Sequence, residues 1–237
     1  MRQFTCFAFS FLIASSILVL CICCETPQKK AKEVKPAQTI VKVKKIKPKK
    51  KRYIQDTITT ENAIAFFSDY GLKNKEDKVQ LHTRLGTITI KLYKDTPLHR
   101  ASFIYLVKNK YFDTTCFYRI VPDFIVQGGN SDSEVTTEFR TQLNNYLLPA
   151  EFRKRRPHKR GVIAAARDWE YNPEKKSSAF EFYFIQARKS QSHLDFEHTV
   201  FGEIIKGIEV IDKIAAAPID SDEWPRKEIS IKMTILK

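Results

Sequence analysis

Residues 116–130 read Cys116-Phe-Tyr-Arg-Ile-Val-Pro-Asp-Phe-Ile-Val-Gln-Gly-Gly-Asn130, and this stretch decides the fold. Its apolar side chains alternate as in a buried strand, yet Arg119 carries a permanent charge in their midst. A planar cation is costly in such surroundings unless it has a defined partner. The pair Gly128-Gly129 lets the backbone turn tightly or approach another group closely. The pattern predicts a strand that holds a cation at the edge of an apolar groove.

The sequence on either side of this stretch predicts short strands and two helices. One helix begins at Pro97, another covers residues 208–216, and a long polar connection covers residues 131–160. Alternation and short apolar runs place further strands at residues 79–83, 87–92, 161–166, 180–187, 200–204 and 228–236. Many short strands with two helices favour an antiparallel barrel over a parallel sheet. The predicted fold is mainly β, a closed eight-stranded antiparallel barrel capped by two helices.

The charge and the cysteines limit the kinds of partner. The formal net charge is +14, but residues 25–52 hold twelve Lys or Arg and only two Glu, which accounts for +10 of it. The rest of the chain is only mildly basic, so a nucleic-acid partner is not expected. Four of the five cysteines lie in the first 24 residues, which leaves Cys116 alone in the folded part. No disulfide, metal site or cofactor is predicted there.

The first 24 residues have the composition of an export signal. Arg2 precedes an apolar run over residues 4–22, and a cysteine cluster ends the segment before the composition becomes polar. The cluster resembles a bacterial lipoprotein signal, which implies lipidation at Cys24 or, alternatively, at Cys23. Because about nineteen apolar residues can also span a membrane, an uncleaved anchor remains an alternative, as does a plain signal peptide.

A lysine-rich linker is predicted over residues 25–55. Its dense like charges repel and it has few apolar residues, so it should act as an extended tether. The tether could be a soluble spacer, or it could be attracted to anionic lipid headgroups; nucleic-acid binding is the weakest interpretation because stacking aromatics are missing. A short helical segment is expected over residues 56–76, and the main domain over residues 77–237.

From about residue 79 to the C-terminus, roughly 160 residues, the sequence resembles the cyclophilin family of peptidyl-prolyl isomerases. The family motif Phe-His-Arg-Val-Ile-Pro-Gly-Phe-Met-x-Gln-Gly-Gly matches the stretch that begins at Phe117. The resemblance implies that Arg119 is the catalytic arginine. It also implies a set of substrate-binding positions: Phe117, Phe124, Ile125, Gln127, Ala166, Arg167, Glu181, Tyr183, His193, Leu194 and His198.

Some of these positions depart from the family pattern. Tyr183 stands where the family has a pocket phenylalanine and Ile125 where it often has methionine, so an apolar wall is kept. Glu181 replaces a glutamine and Arg167 an asparagine, and both change charge in the part of the groove that holds residues before the proline. The resemblance therefore implies isomerase chemistry with an altered substrate preference.

Other interpretations of the same residues are weaker. Arg119 could belong to a buried structural ion pair, and His193, Asp195 and His198 could be metal ligands or part of a hydrolase triad. We expect instead a monomeric, exported peptidyl-prolyl cis-trans isomerase, held at the bacterial membrane by lipid or anchor with its domain more readily on the periplasmic face. It would act without cofactor on proline-containing envelope proteins. The alternative is a barrel that binds proline peptides without catalysis.

Overall fold

A computed structural model describes residues 56–236 as a barrel with four surrounding α-helices. The predicted leader, the tether and Cys24 lie outside the described residues. The strands are β1 Lys78–Thr83, β2 Gly86–Leu92, β3 Cys116–Val121, β4 Ile125–Asn130, β5 Leu147–Leu148, β6 Val162–Ala165, β7 Ser177–Ser178, β8 Phe182–Ile185, β9 Val200–Lys206, β10 Ile229–Ser230 and β11 Lys232–Leu236. The helices are α1 Ala63–Lys73, α2 Pro97–Lys108, α3 Glu134–Gln142 and α4 Glu209–Ala215. Among residues 56–236, no helix is long and apolar enough to cross a membrane.

The C-terminal segment closes the barrel. Nine strands form one antiparallel sheet in the order β10-β3-β4-β8-β6-β9-β2-β1-β11, and β5 pairs separately with β7. The two terminal strands of this order, β10 and β11, are separated in sequence only by Ile231, whose N–H donates to the carbonyl of Thr115 at 2.9 Å. A single stretch of chain therefore covers both open edges of the sheet, which leaves no long unpaired edge.

The prediction of a mainly β antiparallel barrel is confirmed, with a difference in the strand count. The predicted last strand, residues 228–236, is split into β10 and β11 because its two ends pair with different neighbours. The sheet has nine strands for this reason, and eight when that segment is counted once.

The predicted polar connection over residues 131–160 contains a helix that the sequence analysis missed. Ser133 caps α3 by accepting the N–H of Val135 at 3.2 Å, and the helix buries Thr136 and Phe139. The segment has few apolar residues and several β-branched ones, which hid the helical period. The helices predicted at Pro97 and at residues 208–216 are present as α2 and α4.

The sheet has an apolar cluster on each face. Along β8, Phe182 and Phe184 lie in the barrel core, which also contains Phe103 of α2 and Ile211 of α4. The intervening Tyr183 belongs to a second cluster on the opposite face. This division follows from the two-residue repeat of a strand. The second cluster forms the base of the cavity described next.

Candidate active site

A bulge in β3 determines which of its side chains reach the outer face of the barrel. Phe117 lies opposite Gly128 and Arg119 opposite Gln127, so the register shifts between them and Tyr118 is the additional residue. Phe117 is fully buried in the core, whereas the Arg119 side chain is 40% exposed. Without the bulge, two residues separated by one would share a face.

Arg119 lies at the edge of a cavity of about 290 Å³. Cross-strand pairing brings the wall together, because Gln127 lies opposite Tyr183 on β8. The cavity is lined by Arg119, Phe124, Ile125, Gln127, Ala166, Arg167, Trp169, Tyr183, His193, Leu194 and His198. Ten of the twelve site residues named from the sequence, excluding the lipidation site, are among them. Trp169 was not predicted.

Two of the predicted substrate-binding residues lie away from this cavity. Phe117 does so because of the bulge. Glu181 is held by Arg140 of α3, whose Nη1 donates to its Oε1 at 2.6 Å, and by the Tyr118 hydroxyl, which donates to its Oε2 at 2.9 Å. The Gln127 side-chain amide donates to the same hydroxyl. Glu181 therefore supports the cavity wall through Tyr118, and its charge is paired.

Arg119 forms an ion pair, but not a buried one. Its Nε donates to Oε2 of Glu223 at 2.6 Å, and the two side chains are 40% and 39% exposed. Among the described residues its two η nitrogens have no hydrogen-bond partner, so four N–H donors remain available beside the cavity. The arrangement is that of an accessible cation at an apolar edge, which a purely structural ion pair would not need.

A tight turn places the aromatic side of the cavity. Asp123 has φ 58°, and the N–H of Phe124 donates to the carbonyl of Val121 at 3.1 Å, so the chain reverses between β3 and β4. The Phe124 ring then stacks on His193, with ring centroids 5.8 Å apart. Together with Ile125, Tyr183 and Leu194, these rings make a wall suited to an apolar ring of the ligand.

Trp169 extends this wall in a way that the sequence analysis missed. Its indole is 62% exposed, lies edge-on to His198 with centroids 5.3 Å apart, and is covered by the Arg167 guanidinium 4.1 Å from the ring centroid. Arg167 also donates to Oε2 of Glu197 at 2.7 Å and is only 4% exposed. The only signal in the sequence was a tryptophan within a polar loop, which does not specify its position.

Two buried histidines lie beneath the cavity. His198 Nδ1 lies 3.1 Å from the carbonyl of Ala165, and because a carbonyl only accepts, Nδ1 carries the proton. Burial lowers the pKa of His198 to about 4. Burial also lowers the pKa of His158, although Asp195, 2.8 Å from its Nδ1, opposes the shift. Both imidazoles are neutral at neutral pH, so the cation at this site is Arg119.

The His198 shift predicts a loss of stability in acid. A folded-state pKa below the unfolded value of about 6.5 means that the unfolded chain takes up the proton first as the pH falls. Stability is therefore complete above about pH 6.5 and is lost towards pH 4, by about 3 kcal/mol from this group at 1.36 kcal/mol per pKa unit.

Urea denaturation at several pH values between 7 and 4 measures this loss. The variant His198→Gln, which cannot titrate, should show a smaller fall in the free energy of unfolding than the native protein. Identical falls in both proteins would contradict the assignment.

The other large depressions are of a different kind. One of about 390 Å³ and one of about 470 Å³ are lined mainly by charged and hydroxyl side chains and contain none of the predicted site residues. Within residues 56–236, no group of three His, Cys, Asp or Glu side chains is arranged to hold a metal ion. Asp195 bonds to His158, outside the histidine pair of the hypothetical metal cluster.

Comparison with known proteins gives the family. A model of the cyclophilin type peptidyl-prolyl cis-trans isomerases matches residues 78–235. Over 160 residues the chain is 31% identical to peptidyl-prolyl cis-trans isomerase-like 2 of Rhizopus delemar, which covers 67% of this chain and 28% of that protein. Over 145 residues it is 33% identical to a peptidyl-prolyl cis-trans isomerase of Acinetobacter baylyi, which covers 59% of this chain and 72% of that protein. The chain thus spans less than a third of the Rhizopus protein.

Among solved structures, a Cryptosporidium parvum cyclophilin type isomerase, crystallised in the presence of the dipeptide Ala-Pro, superposes with a TM-score of 0.56. It is 23% identical, and the match covers 68% of this chain and 99% of that one. At this identity the likeness concerns the fold alone. The family model, by contrast, extends from the first residue of β1 almost to the end of β11. The chain belongs to the cyclophilin-type peptidyl-prolyl cis-trans isomerase family.

Proposed function

We propose that this chain accelerates rotation about X-Pro bonds in exported polypeptides and does so while held at the membrane of the bacterial envelope. The observation that carries the enzymatic part is Arg119, whose η nitrogens are free beside an apolar cavity. Arg119 is the catalytic residue of this proposal.

The reaction asks little of the protein in covalent terms. Rotation of an amide has a barrier of about 18 to 20 kcal/mol because resonance is lost, and no bond is made or broken. The catalyst needs a site that fits the twisted amide better than either planar isomer. Lowering the barrier by about 6 to 8 kcal/mol would accelerate rotation by about four to six powers of ten.

The cavity supplies two parts of such a site. The wall made by Phe124, Ile125, Tyr183 and Leu194 grips the proline ring and excludes water from it. The η N–H groups of Arg119 donate to the proline nitrogen as it regains its lone pair, and they can also hold a backbone carbonyl. The donors act where charge develops only in the twisted state, so they favour that state selectively.

The substrate groove carries less altered charge than its sequence indicates. Glu181 is paired with Arg140, and Arg167 with Glu197, in contacts of 2.6 and 2.7 Å. Trp169 presents an exposed aromatic surface beside Arg167 instead. We propose that the residues flanking the proline in the client are preferred for apolar contact with this indole rather than for charge.

A peptide assay tests the enzymatic part. The native protein should accelerate cis-trans exchange of a short Ala-Pro peptide in a concentration-dependent way, measured by exchange NMR. A binding module without catalysis would perturb the peptide resonances and leave the exchange rate unchanged. That outcome would replace catalysis by the binding role.

The location of the enzyme is inferred from residues 1–55. The export signal, the cysteine cluster and the basic tether support a monomeric enzyme fixed to the membrane with its domain on the periplasmic side. Proline-containing envelope proteins would be its clients.

The mass of the mature N-terminus tests this location. We expect cleavage before Cys24, or before Cys23, and a diacylglyceryl addition on the new N-terminal cysteine. The variant Cys24→Ser serves as the control and should lose the lipid if Cys24 carries it. An intact, unmodified N-terminus would contradict lipidation.

A further inference from the structure

The loop of residues 219–225 is rigidly built and reaches from the C-terminal region to β3. The Asp220 carboxylate accepts the backbone N–H groups of Asp222 and Trp224, each at 2.9 Å. The Asp220 N–H donates in turn to the Trp224 carbonyl at 2.9 Å. The loop is therefore cross-linked within itself by an Asx-type turn.

Three consecutive residues of β3 contact this loop, each through a different kind of interaction. The Tyr118 ring packs against the Trp224 indole, with centroids 5.7 Å apart. The N–H of Ile120 donates to the Glu223 carbonyl at 2.9 Å. Between them, Arg119 Nε donates to Glu223 Oε2 at 2.6 Å. The loop thus fixes the backbone on both sides of Arg119 as well as its side chain.

Glu223 adopts a backbone conformation that glycine would adopt at lower cost. Its φ is 65°, in the left-handed region where side chains are uncommon. Its backbone hydrogen bond to Ile120 uses the carbonyl, which a glycine would also provide. The side chain is therefore explained by its own contact, the carboxylate on Arg119, and not by the needs of the turn.

We propose that Glu223 is a positioning residue for the isomerase reaction, which orients the Arg119 guanidinium and thereby rests on the proposed function. The contact is made through Nε alone, so it fixes the plane of the guanidinium and leaves the η nitrogens directed to other partners. Donors that are already oriented need no rearrangement when the amide twists. A mobile arginine would sample this orientation for only part of the time.

Variants at one position separate orientation from folding. Glu223→Gly removes the side chain and relieves the backbone, so it should keep or raise the melting temperature while lowering kcat about tenfold, with KM nearly unchanged. Glu223→Gln retains an oxygen that can accept from Nε and should recover most of kcat, within about threefold of the native value. The readouts are exchange NMR on an Ala-Pro peptide over a range of concentrations, and thermal denaturation of each protein.

A second exposed carboxylate provides the matched control. Asp69 on α1 pairs with Lys73 at 2.7 Å and lies on a helix that contributes nothing to the cavity. Asp69→Asn should leave kcat and KM as in the native protein.

Several outcomes would overturn the inference. A native kcat in Glu223→Gly would show that orientation is not limiting, and a higher kcat would show that Glu223 restrains Arg119 instead. Equal kcat losses in the glycine and glutamine variants, each with a lower melting temperature, would indicate a structural role alone. An inactive native protein would overturn the proposed function, and this inference with it.

Discussion

Replacement of Arg119 by alanine should lower kcat/KM for Ala-Pro isomerisation by about two to three powers of ten, the range typical for loss of a donor to developing charge. The reason is that the cavity walls bind the proline ring in every state, whereas the Arg119 η nitrogens act mainly when the amide is twisted. The loss should therefore appear chiefly in kcat, and peptide binding measured by NMR titration should weaken only modestly.

This substitution should leave the fold intact, which makes its result interpretable. Arg119 and Glu223 are both about 40% exposed, and an ion pair in that setting contributes about 0 to 1 kcal/mol. After Arg119→Ala, the Glu223 carboxylate stays in contact with water and is not left buried without a partner.

The matched variant Arg119→Lys keeps the charge but replaces the planar fork by a compact ammonium, and it should recover only part of the activity. If the alanine variant retained the native rate, Arg119 would not be the catalytic residue. If both proteins were equally slow, the peptide-binding alternative would remain.

Local patterns in the sequence predicted the barrel and most of the cavity. Alternation gave the strands, and the segment around Arg119 resembled a family motif, so ten of the twelve proposed residues were found around one cavity. These predictions depend on residues that are close in sequence or that a motif orders.

The missed features depend on contacts between distant parts of the chain. Glu223 meets Arg119 across 104 positions, and Arg140 meets Glu181 across 41. Neither acid nor arginine lies in a pattern that names its partner. The bulge that removes Phe117 from the cavity is likewise invisible in the alternation, because one additional residue in a strand changes facing without changing composition. The α3 helix was missed because its cap, and not its apolar period, defines it.

The glycine pair that follows the motif has a structural reason that can be tested. Gly129 has φ 97°, and a Cβ placed on it would lie 2.2 Å from the carbonyl oxygen of Phe180. Its own carbonyl accepts the hydroxyl of Tyr111 at 2.7 Å, and β4 is bonded to β3 and β8 on either side. The backbone at this position therefore has no direction in which to yield.

Gly129→Ala should lower the free energy of unfolding by about 3 to 5 kcal/mol, because backbone strain at positive φ adds to overpacking. The melting temperature should fall by about 10 °C, at roughly 2 to 4 °C per kcal/mol for a domain of this size. Urea and thermal denaturation measure both quantities. Gly71→Ala on α1 is the control: an added Cβ there would lie 3.2 Å from the Ala101 Cβ at a φ that alanine accepts, so its effect should be small.

Activity in the remaining folded protein should also fall in Gly129→Ala. The Phe180 carbonyl precedes Glu181, which holds Tyr118 and, through it, the Gln127 amide of the cavity wall. A shift of the Phe180 carbonyl is therefore transmitted to the cavity without any change in a residue that lines it. A variant that melts like the native protein would show that this close approach of two strands is absent, and with it the reason for glycine at this position.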